Sequence, residues 1–222
     1  MPKLVETEDF VAEAVRRIVA AAAGVRGRQF RLSLCGGGTP KAVYAALVGE
    51  AIDWGNVLIT FGDERAVPPD HADSNYRMVR EALLDHVPIP DANVIRIRGE
   101  LPPEEAALVC ENELRERAYG EIFAHDLTLL GMGEDGHTAS LFPGSTALDE
   151  RGRWVVANPV PQMNTTRISF TYPLINASRE VMFLITGDKK RRLMDEIHAG
   201  GSGYPAEGVQ PDSGRLCWLV GS

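Results

Sequence analysis

Apolar residues Phe10, Val11, Ala14, Val15, Ile18 and Val19 recur at spacings of three and four, which predicts an amphipathic helix over 8–23. A short apolar strand follows at 30–34. It runs into GGGTPK and a second helix that begins near Thr39, with Thr39 as its cap and Pro40 at the first helical position. The alternation then repeats. A strand at 57–61 leads through the long loop GDERAVPPDHADSN to a helix over 75–85 capped by Ser74, and a third strand at 93–97 precedes a helix over 102–119. Residues 126–130 form a continuous apolar run of the kind buried on both faces of a parallel sheet. Beyond Pro143 the pattern shifts toward strands, at 154–157, 168–172 and 181–186, before a helix over 188–199 and a last strand at 216–220. There are no internal repeats, and only GGSGYP reads as a flexible link.

Strands alternating with helices predict an α/β fold with a mostly parallel sheet and helices on both faces. At 222 residues and 44% hydrophobic content the chain is expected to form one domain spanning 1–222. The balance of 23 basic against 31 acidic residues opposes non-specific binding to nucleic acid or an anionic membrane, so an anionic substrate must be held by a few placed cations. Cys35, Cys110 and Cys217 are odd in number and far apart, which suggests neither a disulfide framework nor a zinc knuckle and fits a reducing cytoplasm. The acidic start MPKLVETEDFVAEAV does not read as a signal peptide, and no stretch approaches the ~20 apolar residues of a membrane span.

In sheets of this kind ligands bind beyond the carboxyl ends of the strands, where this sequence concentrates its unusual loops. GGGTPK can present backbone N–H groups at a helix start and so welcome a phosphate, although it is not a Walker loop. GMGEDG satisfies G-x-G-x-x-G, but Glu134 and Asp135 would oppose a pyrophosphate and Pro143 interrupts the helix the fingerprint needs; a dinucleotide is disfavoured and no cofactor is expected. His137 lies two residues after Asp135 in this same loop, close enough for the carboxylate or a neighbour to orient it as a proton-transfer group. No H-E-x-x-H, H-x-H or G-x-S-x-G occurs, so neither a metal site nor a serine nucleophile is predicted, and water activated by His137 is the simpler nucleophile. Asp63, Glu64 and Arg65 form a charged cluster at another strand end, for which a solvated loop or an internal ion pair remains an alternative. Arg167 and Lys190 are cations near predicted element ends.

Four segments, LSLCGGGTPKAVYAAL, FGDERAVPPDHADSNYRMVREALL, DLTLLGMGEDGHTASLFPGS and RISFTYPLINASREVMFLITGDKKRRLM, together resemble the 6-phosphogluconolactonase family, in family order across most of 30–195. The resemblance implies a modified Rossmann-like sandwich that binds no dinucleotide, and hydrolysis of 6-phosphogluconolactone in the oxidative pentose phosphate pathway. It makes His137 the base with Asp135 beside it, and Gly37, Gly38, Thr39, Arg167 and Lys190 the phosphate cradle. Arg65 then faces the sugar acid end, and Asp63 joins the substrate-binding residues as the second candidate for the base. CGGGTP departs from the commoner GGSTP and loses one hydroxyl donor. The deaminases of the same superfamily carry a glutamate five residues after the matching histidine, where this chain has Phe142. A small sugar phosphate is the expected partner, and nothing predicts an obligate protein partner.

Overall fold

The computed structural model of the chain describes residues 2–118 and 122–221. Its strands are β1 (Lys3–Thr7), β2 (Phe30–Leu34), β3 (Val57–Phe61), β4 (Asp63–Arg65), β5 (Val94–Ile95), β6 (Leu127–Leu130), β7 (Val155–Val160), β8 (Thr165–Phe170), β9 (Glu180–Thr186) and β10 (Arg215–Gly221). The α-helices are α1 (Phe10–Gly24), α2 (Gly38–Leu47), α3 (Asn75–Ala82), α4 (Pro103–Glu116), α5 (Tyr172–Asn176) and α6 (Asp188–Ala199). The helix expected over 102–119 ends at Glu116 among the described residues, and Tyr119 lies outside them.

Seven strands form a sheet in the order β1-β10-β9-β6-β2-β3-β5, and every pairing in it is parallel. From β1 through β2 and β3 to β5 the chain advances in one direction across this order; from β6 through β9 to β10 it advances in the other. Parallel crossovers are right-handed, so the reversal places α1, α2 and α3 on one face and α4 and α6 on the other. Contacts of α1 with α2, of α2 with α3, and of α4 with β7 and β8 agree with this division. The reversal falls between the neighbours β2 and β6. This is the topological switch point, beyond whose carboxyl end a crevice opens.

The apolar runs at β2, β3, β6 and β9 fill the core because strands covered on both faces need no polar alternation. Two helix starts carry side-chain caps. Asp9 accepts from the Ala12 N–H at 3.1 Å to cap α1, and Ser74 accepts from the Arg77 N–H at 3.1 Å to cap α3. Gly37, with φ of 115°, precedes α2 in the position expected for Thr39, which instead lies inside the first turn.

A second sheet, β4-β8-β7, is antiparallel. It corrects the reading of Asp63–Arg65 as part of a loop. At Gly62 the chain leaves β3, its N–H donating to the Leu34 carbonyl at 2.9 Å and its carbonyl accepting from Phe170 at 2.8 Å, and continues directly as β4. The small sheet therefore grows out of the large one beside the crevice.

Candidate active site

Three loops and the small sheet converge on one cavity of about 310 Å³. Its wall includes Gly37 from the β2–α2 turn, Gly38 and Thr39 from the first turn of α2, Asp63 and Arg65 from β4, His137 from the loop after β6, Arg167 from β8, and Lys190 from the first turn of α6. All the site residues expected from the sequence line it except Asp135, which touches it through His137. A volume of this size is at the lower end of small-molecule pockets, commonly about 300–1,000 Å³.

The histidine loop is built by close backbone approaches. Gly133 donates its N–H to the His137 carbonyl at 2.8 Å, and Gly136 donates to the Gly133 carbonyl at 3.1 Å with φ of 76°. A Cβ on Gly133 would lie 2.2 Å from His137 Nδ1 and 2.7 Å from Asp135 Oδ1, so the glycines of this G-x-G-x-x-G serve a histidine turn rather than a pyrophosphate. Asp135 Oδ1 accepts from the His137 backbone N–H at 3.1 Å and pairs with ring Nδ1 at 2.5 Å. Burial alone would raise the Asp135 carboxyl, but the hydrogen bonds from His137 outweigh it and hold it below its usual range. An ionised carboxylate can only accept, so Nδ1 is the donor in this pair and Nε2 is the ring nitrogen left to face a reactant. The ring face is covered by Phe142, centroid to centroid 4.3 Å. Ala139, also in the cavity wall, holds a left-handed φ of 47°, a conformation that costs a non-glycine residue of order 1–3 kcal/mol and is common at functional sites.

Strand alternation explains the charged cluster. Asp63 and Arg65 project to one face of β4 and Glu64 to the other. Glu64 is buried and accepts from the N–H groups of Asn75 and Tyr76, both at 2.8 Å, and from the Ser74 hydroxyl at 3.0 Å; it is an anchor for the start of α3, where anions are favoured. Burial raises its carboxyl despite these donors. Asp63 is fixed by the Ser140 hydroxyl at 2.6 Å and by Asn75 Nδ2 at 3.2 Å. Neither Ser140 nor Asn75 was singled out by the sequence, although both lie in the segments that carry the resemblance. Their only signal there was a short polar residue beside a charged or glycine-rich loop.

Arg65 and Arg167 are direct partners across β4 and β8. Like charges directly opposite on a sheet repel. Burial pulls the Arg167 guanidinium below its usual range, with the Arg65 charge adding to the effect, and the Nε atoms of both residues are buried without a hydrogen-bond partner among the described residues. Lys190 adds a third cation at the amino end of a helix, the end whose dipole disfavours positive charge. Three cations around one cavity can be engaged together by a polyanionic group.

Cys35 also lines the wall, but burial pushes its thiol up to about 12, which leaves it without nucleophilic thiolate at neutral pH. Among the described residues no group of three or more His, Cys, Asp and Glu is placed to hold a metal, and no helix is long and apolar enough to cross a membrane.

The model of the family described as glucosamine-6-phosphate isomerases/6-phosphogluconolactonase matches residues 5–218. A 6-phosphogluconolactonase of Synechocystis is 44% identical over 200 residues, covering 86% of this chain and 82% of that protein, and the human 6-phosphogluconolactonase is 39% identical over 217 residues, covering 92% and 83%. The crystal structure of the 6-phosphogluconolactonase of Thermotoga maritima superposes with a TM-score of 0.91 at 30% identity over the whole of both chains. The solved structure of the 6-phosphogluconolactonase of Trypanosoma brucei gives 0.87 at 30% identity, covering 99% of this chain and 96% of the other. A match across nearly the whole sequence and the whole fold places the chain in the glucosamine-6-phosphate isomerase/6-phosphogluconolactonase family.

Proposed function

We propose that the protein hydrolyses 6-phosphogluconolactone to 6-phosphogluconate, the lactonase step of the oxidative pentose phosphate pathway, by attack of water activated at His137. The observation that carries this reading is the presence in one cavity of an imidazole oriented by Asp135 and of three cations, Arg65, Arg167 and Lys190. The relatives named 6-phosphogluconolactonase supply the substrate class.

In this account the phosphate is held by the backbone of Gly37 and Gly38, by Thr39, and by Arg167 and Lys190. Thr39 Oγ1 is itself positioned by Thr186 Oγ1 at 2.9 Å. Binding energy from this remote group places the lactone carbonyl beside His137. Nε2 takes a proton from water as its oxygen bonds to C1, and the carbonyl electrons move onto an oxyanion near Arg65 or backbone donors. The oxyanion then collapses, the bond from C1 to the ring oxygen breaks, and the imidazolium returns its proton to that oxygen. Asp135 stabilises the imidazolium between the two transfers. A general base of this kind supplies about 10²–10⁴-fold, an appropriate scale for an ester that also opens unaided.

The rival on the same fold is an amino-sugar phosphate deaminase or isomerase, which must open a ring and remove a proton from C2. The glutamate that serves ring opening in the deaminases is replaced by Phe142, whose ring packs on His137 instead. A non-catalytic sugar-phosphate sensor is the reading from another class. Lactone generated in place by glucose-6-phosphate dehydrogenase, with 6-phosphogluconate followed through its own dehydrogenase, separates them. Acceleration over spontaneous opening is expected. A rate equal to the blank, with ligand still bound, would mean a sensor.

A further inference from the structure

The segment GGSGYPAEG, between α6 and β10, is tied into the loop that carries His137. Its composition predicts a flexible link, yet it is pinned along its length. The Glu207 carboxylate accepts from the Gly201 N–H at 2.6 Å, the Ser202 hydroxyl at 2.6 Å and the Gly203 N–H at 2.9 Å. The Pro205 carbonyl accepts from the Tyr172 hydroxyl of α5 at 2.6 Å. From this fixed arm Ala206 donates its N–H to the Gly136 carbonyl at 3.0 Å, one residue before His137. The Tyr204 side chain packs on Gly136 so closely that a Cβ there would lie 2.5 Å from Tyr204 Cδ1.

Tyr204 also reaches the opposite way. Its hydroxyl donates to Glu196 Oε2 at 2.9 Å, and Glu196 belongs to α6, the helix whose first turn holds Lys190. Near the other end of α6, Lys189 pairs with Glu134 of the histidine loop at 2.5 Å. That pair is about two-thirds exposed on both sides, at 65% each, and contributes little by itself. The ring of Tyr204 makes the closer approach to the histidine loop, at Gly136.

We propose that Tyr204 is a positioning residue: it registers the Asp135–His137 pair against α6 and so fixes the distance between the base and the Lys190 end of the phosphate cradle. The inference rests on the lactonase reading. It follows from the need to hold a carbonyl and its base in an attack geometry, where a misplacement of about 1 Å costs up to about 10²-fold. Tyr204 itself is outside the cavity wall and acts only through Gly136 and α6.

Tyr204→Ala and Tyr204→Phe, with His137→Asn as control, test this on the full-length enzyme. Tyr204→Ala should lower kcat by about 10-fold or more while KM changes less than about threefold, because displacement acts on the reacting geometry. Amide hydrogen exchange over 131–138 should become faster. Tyr204→Phe keeps the ring on Gly136 but loses the hydroxyl that reaches Glu196 of α6, so it should restore slow exchange over 131–138 while kcat stays below wild type. Unchanged kcat in Tyr204→Ala would overturn the proposal, as would a KM rise equal to the kcat loss or a full wild-type kcat in Tyr204→Phe, which would show that the hydroxyl link to α6 sets nothing. A wild-type protein without lactonase activity would overturn the lactonase reading instead, and the exchange comparison would then decide the positioning claim alone.

Discussion

The facing arginines make a prediction in which stability and binding move in opposite directions. Arg65 and Arg167 occupy directly paired positions on β4 and β8, and burial together with their mutual repulsion already pulls Arg167 below its usual pKa. Arg167→Ala removes that repulsion, so the unliganded protein should unfold at the same temperature as wild type or slightly higher. Binding should suffer. A hydrogen bond to a charged group contributes about 1.5–3 kcal/mol, which corresponds to roughly 10- to 150-fold in affinity for 6-phosphogluconate. At a product concentration of 100 times the wild-type Kd, the ligand stabilises the wild-type protein by about 2.7 kcal/mol. A variant that binds roughly 30-fold more weakly gains only about 0.9 kcal/mol under the same conditions. At about 2–4 °C per kcal/mol for a chain of this size, the product-induced rise in Tm should fall from about 5–11 °C to about 2–4 °C. Differential scanning fluorimetry with and without product reads both numbers, and steady-state kinetics should show KM rising more than kcat falls. An unliganded Tm lowered by several degrees, with the product-induced shift intact, would refute the reasoning and make Arg167 a structural cation.

Acid should destabilise the protein through His125, which is fully buried between Phe123 and Phe170, bonded through Nε2 to Thr60 Oγ1 at 2.9 Å, and pulled from 6.5 down to about 3 by burial and by the charge of Arg31. Its native form stays neutral while the unfolded chain takes up a proton, so stability is complete above 6.5 and falls by about 1.4 kcal/mol per pH unit as pH drops toward 3. Urea unfolding at pH 6 and pH 5 should show that loss in wild type and a shallower one in His125→Phe; equal slopes would refute the assignment. Gly133→Ala would drive a methyl group into the Asp135–His137 pair, 2.2 Å from Nδ1, and should abolish most of kcat while leaving the thermal transition cooperative. Near-wild-type turnover in that variant would show that the pair need not hold this geometry.

What the sequence revealed, and what it hid, divides along local and tertiary lines. The helices at α1, α2 and α6 and the strands at β2, β3, β6 and β9 were legible because periodicity and caps are local signals. The place of His137 in the cavity wall was legible for the same reason, since it sits in a glycine-rich loop at a strand end. β1 was missed: KLVET is a short, half-exposed edge strand with no apolar run, and it exists because β10 offers it a parallel partner. β4 was missed because three charged residues form a strand only where β8 supplies the ladder and α3 receives Glu64. The expected strands at 154–157 and 168–172 are shifted, to Val155–Val160 and Thr165–Phe170, and α5 takes over from Tyr172, where Pro173 lies in its first turn. Arg65 and Arg167 were each recognised, but their direct opposition is a property of register between distant segments. The tether of Tyr204 to Gly136 has no local signature either, and the glycines around it read as looseness although the arm is hydrogen-bonded throughout.

The central claim is that His137 moves the proton, and His137→Asn tests it most directly, because Asn preserves polarity and approximate size without a basic nitrogen. With the coupled lactone assay corrected for spontaneous opening, kcat should fall by roughly 10²–10⁴-fold while affinity for 6-phosphogluconate stays near that of wild type. A His137→Asn enzyme that kept most of its rate would contradict the account and transfer the search for the base to Asp63.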